Sequence, residues 1–205
     1  MPYPSPSNQL LRRLPARVLA DLKDRLEPVD LHVRQVVLEP DDAVTSLYFP
    51  ETVVISVVAI SARRSGIEIG MVGYEGMTAL AIHPGDTSPF RWLVQQSGFA
   101  WRLGAEDFRL ALSIAPELLE IVSRFHEASA IQFAYSALAH GRFTISQRLA
   151  RWLLMSHDRA RHDTMFLVHE FIASMLAVRR SGITTAIHEL EALGAIRAHR
   201  GVGPS

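Results

Sequence analysis

The feature that most constrains this 205-residue chain is a change of hydrophobic period near Gly104. Before it, Val29, Leu31 and Val33 alternate with polar residues. Short apolar or β-branched runs follow at 47–49, 52–60, 67–72, 92–95 and 99–103, separated by Pro-, Gly- and Asp-containing turns. Successive strand side chains point to opposite faces, so these runs predict an antiparallel sandwich or roll. After Gly104 apolar residues recur every three to four positions, which predicts helices. An α+β chain follows, strands first. Ahead of the strands, Leu14, Val18, Leu22 and Leu26 predict a short helix, and the Pro- and Ser-rich residues 1–9 are expected to be disordered.

The helical part opens with a short helix over 108–112. Pro116 then starts a long helix running to about His140. Leu118, Val122, Phe125, Ser129 and Gln132 step along one side; Leu119, Ile121, Ile131 and Phe133 form a second apolar side. A helix apolar on two sides needs two partners. One is its own domain and the other a second copy of the chain, with the first set assigned to the dimer; a helix wholly buried in one chain is the alternative. Gly141 is expected to end the helix. The chain divides into residues 1–115, a β-roll; 116–140, a long helix; and 141–205, a second, helical domain.

Charge supports that division. The net charge of zero hides an asymmetry: residues 1–140 hold 12 basic and 16 acidic side chains, residues 141–205 hold 9 and 5. Only the C-terminal third offers the positive field that a polyanion needs. No cysteine is present, which excludes disulfides, thiolate metal sites and cysteine-ligated iron–sulfur clusters. No apolar stretch suits a membrane span and no signal peptide opens the chain, so a soluble, cytoplasmic protein is expected.

The chemistry concentrates in residues 169–185. Two short helices meet around Ala177 and Val178, and Phe171, Ile172, Leu176, Val178 and Ile183 supply a compact core. This is the arrangement of a helix-turn-helix, whose second helix enters the major groove of DNA. Arg179, Arg180, Ser181, Thr184 and Thr185 lie at the start of that helix, where side chains reach base edges; His169 stands just before the first helix, expected over 170–176. A strand over 195–200, with Arg197, His199 and Arg200, would begin a wing against the DNA backbone.

These residues resemble the Crp/Fnr family of bacterial transcription regulators. The likeness spans nearly the whole chain. It is strongest in Arg148-Leu149-Ala150-Arg151-Trp152-Leu153-Leu154-Met155, in Glu170-Phe171-Ile172-Ala173 through Arg180, and in Leu190-Glu191-Ala192-Leu193-Gly194-Ala195-Ile196-Arg197. Tyr48-Phe49-Pro50 and Val72-Gly73-Tyr74-Glu75-Gly76-Met77 resemble the family's cyclic-nucleotide-binding-type β-roll. The resemblance implies a long dimerisation helix, a C-terminal winged helix-turn-helix, a homodimer on palindromic double-stranded DNA, and contact with RNA polymerase. Arg180 stands at the family's guanine-reading arginine. Val168 stands where many members carry a capping Thr or Ser, and the sequence ends at Ser205 after one wing strand. Those departures favour, as an alternative, a degenerate member that dimerises or binds a ligand but binds DNA weakly.

By the same resemblance, Glu75, Gly76, Ser88 and Arg91 are the candidate effector contacts. A cyclic nucleotide is disfavoured, because no arginine aligns with its phosphate. Haem is disfavoured too, because His32, His83 and His126 fit no ligation spacing. The effector stays unassigned. No nucleophile elbow, phosphate loop or metal-spaced His pair is present, so no enzyme is expected.

Overall fold

A computed structural model describes residues 5–62, 65–79, 83–160 and 163–199. Helices α1 (Gln9–Arg13) and α2 (Ala16–Lys23) precede seven strands: β1 (Glu27–Leu31), β2 (Val36–Leu38), β3 (Ser46–Pro50), β4 (Val54–Ile60), β5 (Gly66–Val72), β6 (Arg91–Gln96) and β7 (Gly98–Gly104). Five helices follow: α3 (Ala105–Ile114), α4 (Pro116–Arg142), α5 (Ile145–Ala160), α6 (His169–Met175) and α7 (Arg180–Ala192). The strands form two antiparallel sheets, ordered β1-β7-β3 and β2-β6-β4-β5. The expected α+β roll, long helix and C-terminal helix-turn-helix are all present.

The roll closes around Leu47, Phe49, Ile55, Val57, Val94 and Leu103, with Phe108 of α3 and Val122 of α4 against them. Strand β4 is buried on both faces. Ile55 and Val57 point into the roll, while Val54 and Val58 join Met71 in a second core with Leu149, Trp152, Ile172 and Ile183. The C-terminal helices therefore dock on the outer face of the four-stranded sheet. That packing explains why residues 52–60 read as a continuous apolar run instead of an alternating one.

Three expectations change. Residues 5–9 are ordered. Asn8 is buried, caps α1 by accepting from the Leu10 and Leu11 N–H groups, and donates to Pro50 O and Gly76 O at 2.8 Å each. Gly141 does not break α4, which continues to Arg142. No strand forms over 195–199: the Ala195 N–H returns to Leu190 O and the Ala198 N–H to the Glu191 carboxylate. A strand needs a neighbour, and none is present there among the described residues.

Candidate nucleic-acid interface

Helix α7 is held from behind. Ile183, Ala186, Ile187 and Leu190 are buried against Leu149 and Trp152 of α5 and Ile172 and Met175 of α6. The Arg148 guanidinium donates to Leu176 O and so satisfies a carbonyl at the end of α6. The link between α6 and α7 is tight. Ala177 adopts φ +50°, and the Val178 N–H reaches back to Ala173 O at 3.0 Å. A left-handed φ costs any residue with a Cβ, so this turn is strained and its direction is imposed by the helices it joins. Gly182 faces Ile145 so closely that a Cβ would lie 2.9 Å from its Cδ1.

The opposite side of α7 is open. Arg179, Arg180, Ser181 and Thr185 are exposed and Thr184 is half-buried. Neither arginine pairs with an acidic group among the described residues. Thr184 and Thr185 donate to Arg180 O and Ser181 O, and His169 Nδ1 lies 3.3 Å from Thr184 Oγ1. Arg197 is exposed; Arg200 lies outside the described residues. Helix α6 begins at Val168 with no side-chain cap, as expected of a valine there. The first two turns of α7, with its cap, thus carry two cations and three hydroxyls, a donor set that suits phosphates and base edges.

The expected effector residues are brought no such freedom. Glu75 accepts from Arg159 Nε of α5 at 2.6 Å. A Cβ on Gly76 would fall 2.2 Å from the Phe125 ring. Ser88 is buried and accepts from the Trp92 indole at 3.0 Å, and Arg91 donates to Glu39 at 2.9 Å. Among the described residues no three His, Asp or Glu side chains group as metal ligands.

The residues assigned to the dimer lie on the inward side of α4. Leu118 and Val122 are buried in the roll's own core and Phe125 packs against it. Ser129 donates to Phe125 O, and Gln132 accepts the Met71 N–H at 2.7 Å. The second apolar side is divided: Ile121 and Phe133 also pack against the roll, while Ile131 is 55% exposed and lies with Tyr135 and Leu138, 60% and 47% exposed, on the free surface. Both sides follow helical spacing, so only the docking of the roll distinguishes them. Sequence reasoning missed a further group, Ser56, Glu68, Gln95 and Ser156, which joins the sheet to α5. Its one visible signal is polar residues interrupting apolar runs.

Residues 147–203 match the family described as the Crp-like helix-turn-helix domain. No curated protein sequence matches the chain. Solved structures share its fold. The c-di-GMP-responsive global regulator CLP of Xanthomonas campestris superposes with TM-score 0.70 at 15% identity, over 90% of this chain and 96% of that one. FixK2 of Bradyrhizobium japonicum gives 0.71 at 14% identity, over 86% and 89%. A protein assigned to the Crp/Fnr family of transcriptional regulators from Eubacterium rectale gives 0.72 at 15%, over 94% and 90%. The C-terminal domain is a Crp-like helix-turn-helix, and the chain around it has the Crp/Fnr regulator fold. No helix among the described residues is long and apolar enough to cross a membrane.

Proposed function

We propose that this chain, built on the Crp/Fnr fold, regulates transcription by binding double-stranded DNA in the cytoplasm. The observation that carries the reading is the open side of the first two turns of α7, with Arg179, Arg180, Ser181 and Thr185 exposed on a fully packed support. Arg180 reads a guanine by a bidentate pair; Ser181 and Thr185 meet neighbouring bases or phosphates; Arg197 contacts the backbone. A homodimer forms through Ile131, Tyr135 and Leu138 of α4, which places two copies of α7 on half-sites about 34 Å apart. RNA polymerase is the partner that reads the outcome, and the roll receives the controlling signal.

Selection of bound sequences from a random DNA pool, with affinity then measured across a salt series, tests this. A paired half-site motif and a steep loss of affinity with salt are expected. Flat, undetectable binding at low salt supports the second reading, a dimeric protein with lost DNA affinity, for which the uncapped start of α6 at Val168 speaks. For the dimer, Ile131→Glu is expected to give folded monomers in sedimentation, with a melting temperature that no longer rises with protein concentration. A persistent dimer would place the interface elsewhere.

A further inference from the structure

The docked face of the roll carries chemistry that DNA recognition does not use. Glu68 of β5 is only 5% exposed, beneath the C-terminal helices. Ser56 Oγ of β4 lies 2.6 Å from Glu68 Oε2 and 3.0 Å from Gln95 Oε1 of β6. Gln95 Nε2 donates to Ser156 Oγ of α5 at 2.7 Å, and Ser156 donates to Trp152 O at 2.9 Å. All four side chains are buried, so this is a sealed chain of hydrogen bonds from the roll into α5.

A serine hydroxyl has one hydrogen, yet here it faces two acceptors. The conflict vanishes when Glu68 is protonated: Glu68 donates to Ser56, and Ser56 donates to Gln95. Without that proton the Gln95 amide must turn over, and Ser156 must abandon Trp152 O to follow it. The proton on Glu68 and the seating of α5 are therefore linked through four side chains.

The other side of Glu68 faces a cavity of about 10 Å³, lined by Ser136 and His140 of α4 and by Arg148, Arg151 and Trp152 of α5. It has room for a single water. His140 Nδ1, Arg148 Nε and Trp152 Nε1 are buried there without a hydrogen bond. Burial raises the Glu68 carboxyl to about 7, against the Ser56 hydroxyl and the charges of Arg159 and Arg151, which favour the charged form. His140 Nε2 sits 3.0 Å from Glu68 O, and burial lowers its own value.

We propose that Glu68 is a proton-operated latch between the roll and the C-terminal helices, which dock when it is protonated and release when it ionises. The sign follows from linkage. Released, Glu68 lies on an open sheet face and returns to 4.5; docked, it keeps its proton to about 7. Docking is strongest below 4.5, weakens tenfold per pH unit up to about 7, and is level above that. His140 acts in the opposite sense, weakening docking as pH falls below 6.5. Comparison of the wild type with Glu68→Gln, which is permanently neutral, cancels the histidine.

The chain has no cysteine, so dyes on Asp30→Cys and His188→Cys report docking by single-molecule energy transfer in the full chain. No DNA is present, so the result stands apart from the DNA-binding reading. Relative to Glu68→Gln, the released-to-docked ratio of the wild type is expected to rise about tenfold from about pH 5.5 to 6.5 and to be flat above about 7.5. Ser56→Ala removes a donor to the carboxylate and is expected to move the upper edge of this window to higher pH; that comparison needs only the wild type. The latch is overturned if wild type and Glu68→Gln respond alike to pH. A single distance at every pH, or an unmoved edge in Ser56→Ala, overturns it equally.

Discussion

Two sets of polar side chains stand out in this chain, and the fold treats them oppositely. At the start of α7, Arg179 and Arg180 are exposed and meet no acidic partner among the described residues. In the roll, Glu75, Ser88 and Arg91 are each engaged, by Arg159, Trp92 and Glu39. A free donor meets a new partner at the cost of its own ordering alone; an engaged one must first give up what it holds. Helix α7 is thus ready for a ligand from outside. The loop around Glu75 is occupied in joining the two halves of the molecule, so any ligand that needs Glu75 must displace α5.

Mutations can break or sharpen this contrast. The largest effect is expected from Ile183→Ala. Its side chain is fully buried beneath the open face of α7, and its loss should cost about 2–5 kcal/mol in thermal unfolding. An unchanged midpoint would mean that α7 is not held from behind. Next, Arg180→Ala should weaken specific DNA binding by about 1–3 kcal/mol and relax one base preference while leaving stability alone. An unchanged selected site would move the reading residue elsewhere. On the engaged side the order reverses. Arg159→Ala should leave DNA contacts intact but destabilise the fold by about 1–2 kcal/mol, because Glu75 is left partly buried without its cation, holding only the Gly73 N–H. Equal denaturant midpoints for Arg159→Ala and wild type would remove the distinction between free and engaged groups. The smallest effect is a gain: Ala177→Gly should stabilise by about 0.5–1 kcal/mol, since glycine adopts the +50° φ of the turn without strain.

Much of this was legible in the chain. The strands at 47–49, 67–72, 92–95 and 99–103 and the helices after Gly104 appear where the apolar spacing places them. Gly194 ends α7 with φ +69°, as its position beyond Leu193 suggests. Strand β2 was not legible, because three residues are too few to show a period. Which side of α4 stays free was not legible either. Val122 and Ile131 both lie on apolar stripes, yet one is buried in the roll and the other exposed. The sealed chain of Ser56, Glu68, Gln95 and Ser156 joins β4, β5, β6 and α5, a proximity no local pattern records.

The amino-acid order determined the element types, their order, and the basic, compact helix-turn-helix, because period, turn residues and charge balance are properties of near neighbours in the chain. Tertiary structure alone decided which side of α4 stays free, that β4 is covered on both faces, and that Glu75 and Glu68 serve the junction. Those outcomes depend on which surfaces exclude water together, and burial is settled by distant segments meeting in space.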